Sequence, residues 1–213
     1  MASRAVSARA PAWRETVRRG ALRSGAIVGA IALLAATLIV ALALVSYHPS
    51  DPSMNTAAGG PAANWIGPAG AWASDLLLWT FGPPIALLVP IALLTAIRLW
   101  RDVPVSGWRR RTILGTHGIA LIGVALCLFK GDAVAGLPAG LGGAVGLAGA
   151  HGLRALAGLA PNEQLQTLIA GVAMIALAIL GIVVWAKSLD LDEAERAFLF
   201  RRRESGDAPP ARA

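Results

Sequence analysis

Four long apolar runs, parted by segments of unequal charge, limit this chain more than any other feature of it. They fall at about 25–45, 76–97, 112–129 and 165–186. As a helix rising about 1.5 Å per residue, residues 25–45 reach roughly 31 Å, the thickness of a bilayer's hydrocarbon core. The run is too long for the core of a cleaved leader, although Ala41-Leu42-Ala43 resembles a cleavage site. With 15% charged residues and a mean hydropathy of +0.63, the composition excludes an ordinary soluble domain.

A net charge of +7 fits either nucleic acid or anionic lipid as a partner, and position decides between them. Of the 19 basic residues, all but Lys130 and Arg154 lie before the first run, between the second and third, or after the fourth. That alternation is the positive-inside pattern of four spans with both termini cytoplasmic. The expected fold is an all-α integral membrane protein, a four-transmembrane-helix bundle with short interfacial helices in its external loops. Residues 1–24 form a basic cytoplasmic tail, in which Trp13, Val17 and Ala21 mark one face of a short helix. External loops cover 46–75 and 130–164, a cytoplasmic loop covers 98–111, and 187–213 supply a juxtamembrane helix and the start of a linker. Arg18, Arg19, Arg23, Arg109, Arg110, Arg111, Arg201, Arg202 and Arg203 set the topology and anchor it to lipid. Each is worth on the order of 1 kcal/mol near anionic headgroups.

Catalytic machinery is not visible. A P-loop needs Gly-x-x-x-x-Gly-Lys-Ser/Thr, and neither Lys130 nor Lys187 sits in that frame. Cys127 is a lone cysteine in an apolar run and offers neither a disulfide nor a metal cluster. No acids are embedded in pairs within the runs. No enzyme activity, cofactor or metal is expected of these residues.

The most distinctive stretch follows the first run: Ser46-Tyr47-His48-Pro49-Ser50-Asp51-Pro52-Ser53-Met54-Asn55-Thr56. Pro49 and Pro52 fix φ and remove donors, while Ser50, Asp51, Ser53 and Asn55 can hold turns. A plain helix terminator would use the same residues. Further on come Asn64-Trp65-Ile66-Gly67-Pro68-Ala69-Gly70-Ala71-Trp72, with both tryptophans suited to the outer interface. Asp75 reads as a cap or first-turn residue of span 2. In order and spacing, these residues resemble the first external loop of the N-terminal four-span domain of FtsK/SpoIIIE-type DNA translocases. Met54 stands where that family has an aromatic residue. A weaker likeness is Leu137-Pro138-Ala139-Gly140-Leu141-Gly142-Gly143, similar to the family's glycine-rich second loop. The resemblance implies a loop motif of Tyr47, Pro49, Ser50, Asp51, Pro52, Asn55, Trp65, Gly67 and Trp72, and a second at Pro138, Gly140, Gly142 and Gly143. It also implies a multi-pass protein of the bacterial inner membrane at the division septum. There it would anchor a translocase for cell division and chromosome segregation, without the ATPase motor. The implied partners are the bilayer, other division-machinery membrane proteins and a homo-oligomer, with a hexamer known only from the family's motor. DNA would be reached only through the absent motor.

Two features point elsewhere. Phe81-Gly82-Pro83-Pro84 and Pro90 should kink span 2, with the Thr80 hydroxyl or local 3₁₀ geometry easing the lost hydrogen bonds. His117 lies inside span 3, where a neutral ring bonded between helices is expected. Together they define the alternative of a small transporter or channel subunit, weakened by the lack of embedded acids. Lastly, a helix over about 141–156 is expected in the outer interface or packed shallowly on the bundle, with His151 and Arg154 on its wet side.

Overall fold

A computed structural model of the chain describes residues 12–191, leaving aside 58, 104, 106, 132 and 133. Arg201, Arg202, Arg203 and the helix expected beyond residue 191 lie outside the described residues, as does the basic segment before residue 12. The regular structure of the described residues is all helical, without strands: α1 (Ala12–Val45), α2 (Pro68–Phe81), a 3₁₀ segment (Pro83–Leu87), α3 (Leu88–Trp100), α4 (Trp108–Lys130), α5 (Gly143–Ala157) and α6 (Glu163–Leu189). Four stretches are long and apolar enough to cross a bilayer: Trp13–Val45, Pro83–Trp100, Trp108–Lys130 and Glu163–Leu189.

The first of these is longer than its apolar run. α1 carries the arginine-rich segment on the same continuous helix, so no separate helix lies at Trp13–Ala21. Arginine is a good helix former, and Glu15 pairs with Arg19 one turn on at 3.7 Å.

The second run is divided. Gly82 takes φ 67 and closes α2 by donating to the Leu78 carbonyl at 2.8 Å. Pro83 and Pro84 then open a 3₁₀ segment, where their missing N–H groups cost little. Pro90 falls in the first turn of α3, where the ring needs no kink. The Thr80 hydroxyl bonds the Leu76 carbonyl of its own helix at 2.7 Å and does not relieve the break. A Cβ on Gly82 would lie 2.7 Å from the Leu141 carbonyl carbon, and one on Gly143 would lie 2.5 Å from the amide nitrogens of Phe81 and Gly82. The break is thus filled by the backbone of the glycine-rich stretch. Gly142 and Gly146 press on Gly123 of α4 in the same way. Gly123 stands about 10 Å along the helix from Lys130. The N-terminus of α5 is therefore inserted between α2 and α4 and does not lie flat over them. Arg154 is not on a wet side either. It donates to the Cys127 carbonyl at 2.8 Å, while His151 is exposed.

α4 and α6 form the most extensive helix pair. A Cβ on Gly118 would sit 2.7 Å from the Trp185 nitrogen and 2.8 Å from the Gly181 oxygen, so the two backbones touch. Without a hydrophobic drive between helices in lipid, such close approach supplies the attraction. Cys127 and Ala150, fully buried, join Val124 in a small core with Leu147, Leu153 and Leu177.

Side chains from elsewhere cap the C-terminal ends of the four crossing stretches. Asn64 donates to Ala43 of α1 at 2.8 Å, Arg23 to Trp100 of α3 at 2.9 Å, and Arg154 to Cys127 of α4. Arg98, only 3% exposed, donates to Leu189 and Asp190 at the end of α6, at 3.1 and 2.6 Å. Three of the four caps are arginines, whose charge suits the negative end of a helix. Arg98→Ala should lower the stability of the purified chain in detergent by about 3 kcal/mol, because it strips a buried cation from carbonyls left without water. The exposed Arg109→Ala should leave the thermal midpoint nearly unchanged. Gly143→Ala, at φ 63 and against backbone, should destabilise, whereas Gly152→Ala meets nothing within 4 Å and should not.

Candidate functional site

Ser46 closes α1 by bonding the Leu42 carbonyl through its hydroxyl at 2.7 Å. The chain then doubles back, and two buried carboxylates hold it. Asp51, 5% exposed, accepts from the backbone nitrogens of Ala63 and Asn64 at 2.8 and 2.9 Å. Its own nitrogen donates to His48 at 3.1 Å, the tight turn that Pro49 favours. Asp75, 1% exposed, accepts from Asn55 twice, backbone at 3.1 Å and side chain at 2.8 Å, and faces the Tyr47 hydroxyl at 3.5 Å. Asp75 is thus an interior residue of α2, not its cap; α2 begins at Pro68, with Gly67 at φ 74 before it.

Asn64 is the hub that sequence reasoning passed over. It is 4% exposed, donates to the Ala43 and Ser46 carbonyls at 2.8 and 3.3 Å, and accepts from the Ile66 nitrogen at 3.1 Å. Around it, the Trp65 nitrogen donates to the Ser46 hydroxyl at 3.1 Å and the Gly67 nitrogen to the Asn64 carbonyl at 2.8 Å. The Thr56 hydroxyl donates to the Pro49 carbonyl at 3.1 Å.

The loop motif therefore splits into two sets. Asp51, Pro52 and Tyr47 face inward or half inward, while Pro49, Ser50, Asn55, Trp65 and Trp72 are exposed. His48 and Ser50 bond each other at 2.8 Å on the outer edge. In the second loop Gly140, Gly142 and Gly143 are buried, Pro138 is half-buried, and Gly136 meets the ring of Pro49 across 3.6 Å from its ideal Cβ. The two loops thus share one end of the bundle.

The other end is the arginine end. Arg111 donates to the Asp190 carboxylate at 2.7 and 3.1 Å. That hydrogen bond holds the Asp190 carboxyl below its ordinary value against the opposing effect of desolvation. The pair therefore contributes above the ordinary carboxylate pKa, and its contribution is lost as pH falls through the lowered value. Arg23 lies 3.4 Å from Asp102. Arg18, Arg19, Arg109 and Arg110 remain exposed.

His117 and the break do not come together. The ring nitrogen pairs with the Ile113 carbonyl of its own helix at 2.7 Å, and the residue is exposed on α4. It does not bridge helices, and glycine backbone occupies the break.

These observations define a polytopic helical membrane domain with a pinned double loop at one end and arginine caps at the other. Residues 23–191 match the sequence pattern of the family described as the 4TM region of DNA translocase FtsK/SpoIIIE, and the chain belongs to that family. It is 30% identical over 175 residues to the DNA translocase FtsK of Caulobacter vibrioides, covering 79% of this chain and 21% of that protein. It is 42% identical over 65 residues to the DNA translocase FtsK of Vibrio parahaemolyticus, covering 30% of this chain and 6% of the relative. The chain thus spans about a fifth or less of the relatives' length. No solved structure matches it.

Asp51→Ala should cost roughly 1–3 kcal/mol and speed proteolysis of the first loop, because the buried Asn64 N–H and the part-buried Ala63 N–H lose their acceptor. Tyr47, the single tyrosine, gives a direct optical reading. Burial, then the Asp75 charge, pushes its phenol up to about 12 from 10.0. The neutral phenol's contribution is complete below pH 10 and is lost as pH rises toward 12. A phenolate absorbance titration should show the raised midpoint, and Asp75→Asn should move it toward 10.0.

Proposed function

We propose that this chain is the membrane anchor and septal interaction module of an FtsK-like DNA translocase serving cell division and chromosome segregation. In this reading it lies in the bacterial inner membrane with the arginine end cytoplasmic and the double loop outside. Membrane proteins of the division machinery are its partners, met at the exposed edge of the loop. DNA is handled by a motor region to which these residues contribute no P-loop. Copies of the chain assemble through the exposed apolar faces of their helices.

One observation carries this reading: the loop is built as a rigid, outward-facing edge. Asp51, Asp75 and Asn64 spend their hydrogen-bonding capacity inside, fixing the backbone to α1 and α2. His48, Ser50, Met54 and Trp65 are left exposed upon it. A mere connector would not need two buried carboxylates, which are costly unless fully paired. The likeness to two FtsK translocases supports the same assignment.

The orientation is tested by labelling single cysteines in a Cys127→Ala background with a membrane-impermeant reagent. Ser50→Cys should react in intact spheroplasts and Arg109→Cys only after lysis; the reverse pattern would exclude the proposed topology. A fluorescent fusion should gather at midcell. Paired substitutions at His48 and Ser50, on the exposed edge, should weaken that recruitment while leaving the thermal midpoint intact. Undiminished midcell recruitment would remove the septal role of this edge.

A further inference from the structure

Along the seam between α1 and α3 lie two depressions, one after the other. At the arginine end, a polar hollow of about 570 Å³ is lined by Thr16, Arg19, Gly20, Leu22, Arg23 and Asp102. Next comes an apolar groove of about 210 Å³ between Ala30, Ile31 and Leu34 of α1 and Ala96, Ile97 and Trp100 of α3, with Arg101 at its edge. We infer that this seam is a discrete site for one anionic phospholipid, with its phosphate among Arg19, Arg23 and Arg101 and an acyl chain in the groove.

Length supports the assignment. Ala30–Leu34 stand about 10–16 Å along α1 from Arg23. One leaflet of hydrocarbon is about 15 Å deep, half of the usual core. A chain hanging from a headgroup at Arg23 therefore runs through the groove and ends near it. A further depression, lined on α1 by Leu33, Ala36, Thr37 and Val40, lies mostly deeper than one leaflet and is not needed.

Charge supports it too. Three guanidinium groups meet two carboxylates here, Glu15 and Asp102. The Arg19–Glu15 pair is loose and exposed at 3.7 Å, so Arg19 stays available to a phosphate. Arg23 is held in place by its bond to the Trp100 carbonyl and its approach to Asp102. That fixes one cation at the mouth of the groove before any lipid arrives, which lowers the ordering cost of binding. Trp100, 56% exposed, presents an aromatic ring where headgroup and hydrocarbon meet. A peptide helix would need a longer apolar face, and a free anion would have no use for the groove. The inference rests on the membrane-spanning fold and is independent of the septal role and orientation proposed above.

The test uses the full chain in a neutral detergent, with phosphatidylglycerol, phosphatidylcholine of the same acyl chains, and inorganic phosphate as probes. Native mass spectrometry and thermal shift should show one phosphatidylglycerol retained and a raised midpoint. Phosphatidylcholine and phosphate should do neither. The double variant Arg19→Gln/Arg101→Gln should bind phosphatidylglycerol roughly tenfold or more weakly, from the loss of two headgroup contacts. Leu34→Trp, at an exposed position, should fill the groove and also weaken retention. Arg109→Gln, exposed and off the seam, should bind as the parent does. The site would be overturned by equal retention of both lipids, by a shift with phosphate alone, by undiminished binding in Leu34→Trp, or by an Arg109→Gln loss matching that of the double variant.

Discussion

The last carbonyls of a helix have no partner within it, and this fold is organised by where they find one. Each of the four crossing stretches ends on a side chain lent by another element. Asn64 closes α1, Arg23 closes α3, Arg154 closes α4 and Arg98 closes α6. These bonds are also the ties between distant parts of the chain. Arg23 joins α1 to the end of α3, and Arg98 joins α3 to the end of α6. The requirement to satisfy backbone groups thus sets tertiary structure as well as capping helices.

The same demand explains the divided second run. Breaking a helix at Gly82-Pro83-Pro84 exposes polar backbone close to hydrocarbon. The chain meets the difficulty with backbone. Gly142 and Gly143 carry no Cβ, so the tip of the second loop can enter between α2 and α4 and cover the gap. Any larger residue there would hold the loop out by the width of a side chain. A glycine-rich stretch that looks too flexible for a helix in water is what lets α5 insert.

Much of the architecture was legible beforehand, because hydropathy and arginine placement are direct records of the bilayer's demands. The four crossing stretches and the all-helical class follow from them. What escaped was anything depending on which partner a polar residue meets. Arg154 stood out as a cation in the wrong loop, yet only the crossing of α5 over α4 shows that it caps Cys127. Asp75 reads as a helix start because it directly precedes the apolar run at Leu76, where a carboxylate favours an N-terminus; α2 begins earlier, at Pro68, and burial against Asn55 and Tyr47 reassigns it. Asn64 lay within the stretch resembling the family, and its neighbours Trp65 and Trp72 drew attention from it. For His117, an apolar run gives no indication of which face a residue occupies, and the ring turned out to bond its own helix.

The loop end and the arginine end solve opposite mechanical problems. At the loop end, Asp51 and Asp75 stiffen a surface by spending acceptors inward, so that its exposed edge keeps one shape. At the arginine end α6 stops at Leu189, and Asp190 turns the path in the left-handed region at φ 45. Arg98 of α3 grips the backbone there and Arg111 of α4 grips the carboxylate. The end of α6 is therefore held by α3 and α4 at once. α4 and α6 in turn touch backbone to backbone at Gly118 and Gly181, within the most extensive helix pair of the fold. An exposed α6, with few buried side chains of its own, would otherwise be the helix most easily drawn out of the bundle. The arginine clasp at its end is what ties so lightly packed a helix to the rest of the bundle.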